Sequence, residues 1–321
     1  MKKFISFLAV AISTTGLAGS AMAEDATYPD RAITLIVPYP AGGTIDRIAR
    51  ELADVAATEW GQAVVVENQG GGNGLVGVER ARNSNPDGYT ILVAGGSTHS
   101  LGPAIDPNVK YDPINDFSTI AYLGDTPLVV TGGPSVEGRS MADIIDEAKD
   151  DARAFTYGSV GNTTVLATQL LASDTGAKLT HVNYQQFGQA LIDIARGDVD
   201  LGVSSLSIAA APISQGMLTP LAVTSPERVK LLPEVSSIAE SVPDYEMLIW
   251  FGLFGQPELD EEVREKWFDL VQDWQADEAR VEKWAKEGFT LRQRSAQEFA
   301  DYLRADYEKW QKVAAETGLN E

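Results

Sequence analysis

Short apolar runs recur along the chain, and each ends in small polar residues before a stretch with helical periodicity. The first run, Ala32–Val37, is continuous and β-branched, as in a strand buried within a parallel sheet. After a Pro/Gly loop, Ile48, Leu52 and Val55 fall on one face of a helix. We expect Thr44 to cap that helix, because a threonine hydroxyl can accept a hydrogen bond from the first turn.

The same order of strand, small-residue loop and helix returns further along the chain. Strands are predicted at Ala63–Val66, Thr90–Ala94, Phe155–Tyr157, Asp200–Val203 and Leu221–Val223. This alternation predicts an α/β fold with mostly parallel sheets. No linker divides the chain, and two domains joined by crossing strands would show none. Ile120–Val130 and Met247–Gly255 are the candidate crossing strands.

From about Asp260 onward the chain is charged and helical. Ser295 and Glu298 have the spacing of a capping box, which marks the start of a helix. An apolar stripe follows at helical spacing, at Phe299, Leu303, Tyr307 and Trp310. We interpret this stripe as the side of a terminal helix that packs on the core.

Residues 1–23 have the features of a secretory signal peptide. Lys2 and Lys3 precede a short apolar run, and Ala21-Met22-Ala23 is a small–x–small cleavage site. The apolar run is too short to span a bilayer. We therefore expect cleavage after Ala23 and export of the mature protein.

Acidic residues outnumber basic ones, and the formal net charge is −21. We expect no binding to nucleic acid or to anionic lipid, because their phosphates require a basic surface. The chain has no Cys and two His, His99 and His181. Thiolate sites and a three-histidine metal site are therefore excluded within one chain. We expect neither a metal nor a cofactor.

Gly72–Gly77 has the G-x-G-x-x-G spacing of a dinucleotide-binding loop. However, it follows the second predicted strand rather than the first. The next strand ends in Gly95-Gly96 instead of the acid that would hold a ribose. Export also removes the protein from the nucleotide pools of the cytoplasm. We interpret these glycines as a tight turn in which two backbones approach closely.

Tyr157–Gly161 is similar to the G-x-S-x-G turn of serine hydrolases, with Ser159 in the position of the nucleophile. Tyrosine replaces the first glycine of that motif. His181 follows too soon to leave room for the acid-bearing strand of the hydrolase order. An exported serine hydrolase is thus an alternative function, and Ser159→Ala tests it. The substitution should abolish turnover in a hydrolase but only weaken binding in a receptor.

Four loops that follow predicted strands consist largely of Gly, Ser, Thr and Asn. They are Ala41–Thr44, Gly96–Ser100, Ser159–Thr164 and Ser204–Ser207. In an open α/β sheet such loops converge at the carboxyl edge, where ligands bind. Each loop offers backbone N–H groups at a helix N-terminus, which attract an anion without a Lys or Arg side chain. A strongly acidic protein can therefore still bind a small anion at this edge.

A series of short motifs, in one order along the mature chain, resembles the Bug (TctC-like) family of periplasmic solute receptors of tripartite tricarboxylate transporters. The motifs are Tyr28–Arg31, Val37–Asp46, Val65–Asn68, Pro86–Thr90, Tyr111–Phe117, Tyr157–Gly161, His181–Tyr184, Gly197–Asp200, Leu221–Ser225 and Trp250–Leu253. Single motifs of this kind are weak, but their number and order are specific.

The resemblance implies a Venus flytrap of the periplasmic-binding-protein type, with two α/β domains joined by two crossing strands and no catalysis. With the candidate crossing strands, residues 24–124 and 247–321 form a discontinuous first domain, and residues 125–246 form the second. It further implies a periplasmic monomer that captures a small carboxylate, either a di- or tricarboxylate or an aromatic carboxylate. The membrane subunits of a tripartite tricarboxylate-type transporter are then its partners.

The resemblance also places the ligand-binding residues, position by position. In the first domain they are Tyr39, Ala41, Gly42, Gly43, Thr44, Asp46, Ser97, Thr98 and His99. In the second domain they are Ser159, Gly161, Asn162, Thr163, Thr164, Tyr184, Ser204 and Ser205. Asp46 has two interpretations, as a ligand contact or as an acid that stabilises the first turn of a helix.

The chain departs from the family pattern at two places. Members often have His-Val-Pro-Tyr-Lys-Gly where this chain has His181 to Gln186, so a cation near the cleft is missing. They often have Asp-Asn where this chain has Ser204-Ser205, so a partner for a ligand amine is missing. Both changes leave the identity of the ligand open. A ligand-sensing partner of a membrane sensor is a further alternative, since it would use the same closed clamshell.

Overall fold

The computed structural model describes residues 27–149 and 154–317, without the side chains of Asn162 and Thr317. The predicted signal peptide lies outside the described residues. The strands are β1 Ile33–Val37, β2 Val64–Asn68, β3 Thr90–Gly95, β4 Ser118–Gly132, β5 Phe155–Ser159, β6 Leu179–Asn183, β7 Leu201–Ser205, β8 Thr219–Val223, β9 Leu248–Gly255 and β10 Thr290–Leu291. The helices are α1 Thr44–Trp60, α2 Leu75–Arg82, α3 Gly96–His99, α4 Leu101–Ile105, α5 Met141–Lys149, α6 Asn162–Thr175, α7 Phe187–Arg196, α8 Leu206–Ser214, α9 Glu261–Ala276, α10 Glu278–Lys286 and α11 Ala296–Thr317.

The strands are hydrogen-bonded in the order β2-β1-β3-β9-β4-β7-β5-β6, and β8 and β10 also pair with β4. Two triplets, β2-β1-β3 and β7-β5-β6, are parallel, as the alternation of strands and helices predicts. We call these triplets, with the helices that follow their strands, the first half and the second half. The α/β architecture and its two halves are thus confirmed.

The strands in the middle are antiparallel, which corrects the expectation of mostly parallel sheets. β4 pairs antiparallel with β7, β8, β9 and β10, and β9 pairs antiparallel with β3. Leu221–Val223, predicted as one more parallel strand, belongs to β8 and runs against β4. The reason is topological, since these strands arrive from the other half or from a turn rather than from a crossover helix.

β4 and β9 connect the halves, where the sequence places the two crossing strands. β4 pairs with β9 from Ser118 to Pro127, and then with β7 from Leu128 to Gly132 and with β8 from Val129 to Gly132. Just before β9, the N–H of Met247 donates to the carbonyl of Thr224 at the end of β8. The chain therefore passes from one half to the other twice within one continuous hydrogen-bonded region.

Each half has its own apolar core. In the first half, α1 and α9 cover one face of the sheet through Ile48, Leu52 and Trp267, all fully buried. In the second half, Phe155 and Ile144 belong to the core beneath α5 and α6. Burial of these side chains removes apolar surface from water, and this supplies the main driving force for each half.

Helix α11 contributes to both cores. Its first turns carry the predicted capping box, in which Ser295 and Glu298 exchange hydrogen bonds. Phe299 packs with the first-half aromatics, as its place in the predicted stripe requires. Trp310 and Val313, further along the helix, belong to the core of the second half. The end of α11 therefore braces the second half against the first.

Candidate ligand-binding site

The loops that follow the three parallel strands of the first half meet at one edge of the sheet. The hydroxyls of Tyr39, after β1, and Ser97, after β3, share a hydrogen bond. The side chain of Asn68, the last residue of β2, donates to the carbonyl of Tyr39 at 3.1 Å. Three segments that are distant in sequence are thus tied together at the carboxyl edge, as the strand order predicts.

Asp46 shapes the first of these loops. Its side chain is 2% exposed and accepts hydrogen bonds from the backbone N–H of Gly42 (2.8 Å), from Asn68 (2.9 Å) and from Arg50 (3.1 Å). Burial alone would raise the pKa of this carboxyl, but the hydrogen bonds from Arg50, Gly42 and Asn68 hold it below its ordinary value. Both carboxylate oxygens thus accept hydrogen bonds from the loop itself or from the neighbouring side chains of Arg50 and Asn68. This geometry favours the structural interpretation of Asp46 over a ligand contact.

The first turn of α1 is not capped by Thr44, contrary to expectation. The helix begins at Thr44, Gly43 occupies the N-cap position, and no side chain accepts a hydrogen bond there. The reason is that Gly43, one residue before Thr44, takes the N-cap position, so Thr44 is already the first residue of the helix. The side-chain hydrogen bond in this turn is instead the one that Asp46 accepts from the N–H of Gly42. The early N–H groups of α1 therefore have no side-chain cap.

The loops of the second half also meet at one edge. Ser159 ends β5, and its carbonyl accepts the N–H of Tyr184, which follows β6, at 3.1 Å. The hydroxyl of Tyr184 donates to Asp193 at 2.7 Å. The hydroxyl of Ser204, in β7, donates to the carbonyl of Ser205 at 3.4 Å. These side chains are thus engaged within their own half.

A cavity of about 460 Å³ lies where the two halves face each other, and it is our candidate site. Its lining comprises Pro38, Tyr39, Pro40, Gly70, Gly71, Asn73, Gly74, Leu75, Ser97, Thr98, Leu101, Gly102, Ile105, Asp106, Val109 and Tyr111 from the first half, with Gly161 and Thr163 from the second. The volume is within the range of small-molecule pockets.

Five of the predicted residues line this cavity. They are Tyr39, Ser97, Thr98, Gly161 and Thr163. The lining does not include Ala41, Gly42, Gly43, Thr44, Asp46, His99, Ser159, Asn162, Thr164, Tyr184, Ser204 or Ser205. The side chain of Asn162 lies outside the described residues. Some side chains of the predicted loops therefore reach this cavity, and the others do not.

His99 is placed in the core rather than at the cavity, which corrects its assignment as a ligand contact. Its side chain is 0% exposed and stacks on Phe254 at 4.0 Å between ring centroids, with the edge of Phe117 at 4.7 Å. Its Nδ1 is hydrogen-bonded to the hydroxyl of Thr98 at 3.0 Å. Burial lowers the pKa of His99 to about 3, so the ring is neutral.

Thr163 and Gly161 bring a helix N-terminus to the cavity. Helix α6 begins at Asn162, and Gly161 at its N-cap supplies no side-chain hydrogen bond. The first N–H groups of α6 therefore lack a side-chain cap and carry the positive end of the helix dipole. A carboxylate in the cavity can accept hydrogen bonds from such groups without a basic side chain.

The electrostatic character of the cavity follows from what lines it. Its described lining contains no Lys, Arg or His, and its single charged side chain is Asp106. The two cations of α1 nearest the first loop are paired elsewhere, Arg47 with Glu287 and Arg50 with Asp46. Binding of an anion here therefore depends on hydroxyls and backbone N–H groups.

Sequence reasoning missed the apolar side of the lining, formed mainly by Leu101, Ile105, Val109 and Tyr111. These residues lie on α4 and on the irregular segment after it. They carry no loop motif, and α4 is too short to show a periodic pattern. Tyr111-Asp112-Pro113, within one of the family motifs, was the available signal for this region.

A second cavity of about 360 Å³ lies beside the crossing strands. It is lined by four cations and three acids, namely Arg228, Lys230, Arg292, Arg294, Asp125, Glu227 and Glu246. Arg228 is paired with Glu240 at 2.7 Å, and Arg292 with Asp125 at 3.0 Å. None of the predicted ligand-binding residues lines it. We therefore place the candidate site in the larger cavity.

The structure shows one of the contacts that the serine hydrolase alternative requires. The hydroxyl of Ser159 is hydrogen-bonded to Nε2 of His181 at 2.9 Å. However, Ser159 is 0% exposed, and no carboxylate within the described ranges hydrogen-bonds to His181. A nucleophile must reach its substrate, and its histidine is normally oriented by an acid. The arrangement therefore does not form a working triad.

The glycine-rich segment adopts the tight turn expected of it. Gly72–Gly74 forms a 3₁₀ turn in which Asn73 has a positive φ of 55°. A Cβ at Gly77 would lie 2.8 Å from the carbonyl oxygen of Gln69, so only glycine fits this close approach.

In the part of the chain that the structure describes, no group of three or more His, Cys, Asp or Glu is placed to hold a metal. Within the same residues, none of the helices combines the length and apolar character that crossing a bilayer needs.

Comparison with known proteins gives one consistent result. The family described as the tripartite tricarboxylate transporter family receptor (TctC) matches residues 48–319. A UPF0065 protein of Agrobacterium vitis is 31% identical, covering 97% of this chain and 91% of its own length. The solved structure of R. palustris Rpa4515 with adipate is 29% identical, with a TM-score of 0.75 and coverage of 91% of this chain and 98% of that one. The periplasmic binding protein BugD is 26% identical, with a TM-score of 0.71 and coverage of 91% and 99%.

Proposed function

Because the chain belongs to the tripartite tricarboxylate transporter receptor family, the TctC or Bug proteins, we propose that it captures a small carboxylate between its two halves. Members of this family are periplasmic solute receptors and not enzymes. We propose delivery of the bound acid to the membrane subunits of a tripartite tricarboxylate-type transporter. We propose further that the receptor is a monomer, exported by the leader and cleaved after Ala23.

One observation carries the proposal, namely that a single cavity takes its lining from both halves. Tyr39 and Ser97 come from the loops of the first half, and Gly161 and Thr163 come from the start of α6 in the second. A ligand that contacts both sets is held by both halves at once. Closure of two domains around a ligand is a recurrent mode of binding in such receptors.

The lining favours an anion of moderate charge. The hydroxyl of Thr163, the one hydroxyl of the bonded pair Tyr39 and Ser97 whose proton stays free, and the uncapped N–H groups of α6 can donate hydrogen bonds to a carboxylate. The chain as a whole is strongly acidic, so the absence of a cation in the described lining keeps long-range attraction low. Selectivity then rests on short-range hydrogen bonds rather than on steering.

The division into domains is part of this proposal. We propose residues 24–124 with 247–321 as the first domain and residues 125–246 as the second. The passage of β4 and β9 between the halves supports these boundaries. The packing of Trp310 and Val313 on the second-half core gives α11 a role in joining the two domains.

Titration calorimetry with matched acids and amides tests the function. Ionised carboxylates should bind, and the amide of the same acid should bind at least tenfold more weakly. Loss of one hydrogen bond to a charged group costs about 1.5–3 kcal/mol, or roughly tenfold to a hundredfold in affinity. A neutral sugar or a cation that binds better than every carboxylate tried would contradict the proposal.

A further inference from the structure

Three residues of the cavity lining carry side-chain hydroxyls that face each other or come from the start of a helix. Tyr39 and Ser97 are bonded to each other, and Thr163 at the start of α6 lines the same cavity. A Cβ on Gly74 would lie 2.8 Å from the side chain of Thr98, which places the glycine-rich loop beside Ser97. We call Tyr39, Ser97 and Thr163 the donor group.

Five further residues of the lining form an apolar wall, while Asn73 and Thr98 add polar side chains. We define it as Leu75, Leu101, Ile105, Val109 and Tyr111. Leu101 and Ile105 are anchored in the core of the second half, and Leu75 and Val109 pack on the core of the first. The hydroxyl of Tyr111 donates to the carbonyl of Thr98 at 2.6 Å, which leaves its ring for the cavity. The wall therefore offers a ligand apolar contact and no hydrogen-bond donor from these side chains.

Asp106 is the one charged side chain in the described lining, and it directly follows the wall residue Ile105. Its Oδ1 accepts hydrogen bonds from the backbone N–H (2.9 Å) and the side-chain amide (2.8 Å) of Asn108. Lys110 donates instead to the carbonyl of Pro107. The carboxylate of Asp106 is therefore held in place by neutral donors, and it forms no ion pair with any residue that the structure describes.

We propose that the ligand is a monocarboxylate with an apolar aliphatic or aromatic body, and that Asp106 discriminates against a second carboxylate. The inference rests on the proposed function, since it assigns the ligand class of the same cavity. One carboxylate bound by the donor group leaves the body of the ligand to contact the apolar wall. A second carboxylate at the far end of the ligand loses water among apolar side chains and is repelled by Asp106.

A calorimetric series at one pH and ionic strength tests the inference with ligands of matched length. The probes are hexanoate, hexanedioate, propane-1,2,3-tricarboxylate and hexanamide. We expect hexanoate to bind at least tenfold more tightly than hexanedioate, and the tricarboxylate to bind most weakly of the three acids. Val109→Thr, which keeps the shape of the wall but adds a hydroxyl, should weaken hexanoate about fivefold.

Asp106→Asn removes the charge and retains an oxygen for the N–H of Asn108. It should raise the affinity for hexanedioate about five- to tenfold more than the affinity for hexanoate, because the dianion carries the additional charge that Asp106 repels. Glu137→Gln is the matched control, because Glu137 is exposed and does not line the cavity. It removes one negative charge from the chain and should leave the ratio of the two affinities unchanged.

Tighter binding of hexanedioate or the tricarboxylate than of hexanoate to the wild type would overturn the inference while leaving the carboxylate function intact. The same holds if Asp106→Asn folds and leaves the ratio unchanged. If that variant does not fold, the wild-type series and Val109→Thr decide. Hexanamide binding as tightly as hexanoate, or no binding of any acid, contradicts the proposed function and with it the inference.

Discussion

The side-chain hydroxyls of Tyr39 and Ser97 share a hydrogen bond 2.5 Å long, although 58 positions separate them in sequence. The bond joins the loop after β1 to the loop after β3, and both residues line the cavity. One interaction thus fixes the relative position of two segments that a ligand must contact together. Loops positioned in this way present a preformed binding surface, which lowers the entropic cost of binding.

Tyr39→Phe removes this hydrogen bond and keeps the ring. We expect the free energy of unfolding to fall by about 1 kcal/mol, and the affinity for a carboxylate to fall about three- to tenfold, because Ser97 loses its partner. Urea unfolding and titration calorimetry measure the two effects. Tyr184→Phe is the control, since its hydroxyl bonds to Asp193 and does not line the cavity. An affinity loss in the control equal to that in Tyr39→Phe would count against the assignment.

Asp46→Asn tests the structural role of that carboxylate. At pH 7 we expect a loss of about 2–3 kcal/mol in the free energy of unfolding, because the donors of Gly42, Arg50 and Asn68 lose a charged acceptor. The folded-state pKa of Asp46 lies below its ordinary value of about 3.9. Its contribution is therefore fully present above about pH 4 and is lost as the pH falls through the lower folded value.

Urea unfolding of wild type and variant at pH 7, 5 and 3.5 measures this difference. The difference in the free energy of unfolding between wild type and Asp46→Asn should be constant from pH 7 to pH 5. It should begin to decrease at pH 3.5. Asp54→Asn, on the exposed face of the same helix, is the control and should change stability by less than about 0.5 kcal/mol. If this difference in the free energy of unfolding increases as the pH falls, the ionised carboxylate of Asp46 destabilises the fold.

His99→Phe tests the burial of the imidazole. The pKa of His99 is lowered to about 3, so the unfolded chain binds a proton below about pH 6.5 that the folded chain does not. Wild type should lose about 2 kcal/mol of stability through this group between pH 6.5 and pH 5. The variant, which retains an aromatic ring against Phe254, should show a flatter profile by that amount. Identical pH profiles for the two proteins would place His99 in contact with solvent.

The sequence predicts where this fold puts its polar loops, because strands that alternate with helices end at one edge of a parallel sheet. The pattern predicts Ser97 and Thr163 at this edge, and both line the cavity. The crossing strands were also predictable as candidates, since a two-domain chain without a linker must cross between its domains through strands, and Ile120–Val130 lies in one that pairs on both sides. What the sequence could not predict depends on tertiary packing.

His99 and the wall residue Ile105 illustrate the limit. A histidine that follows a polar loop has the sequence features of a ligand contact, yet the ring of His99 turns inward to stack on Phe254. Ile105 belongs to a helix of one turn, and its place in the cavity depends on packing against the core of the second half. The antiparallel pairing of β8 has the same origin, because its neighbour β4 arrives from the other half.

The affinity of two single truncations for one carboxylate is the most direct test of a cavity shared by the two halves. Ser97→Ala removes a hydroxyl from the first half, and Thr163→Ala removes one from the second. Thr58→Ala, an exposed position on α1, serves as the control. Measured by titration calorimetry, each truncation should weaken binding roughly tenfold to a hundredfold while the control matches wild type. Full affinity in Thr163→Ala, with binding lost only in the first-half variant, would contradict a site formed by both halves.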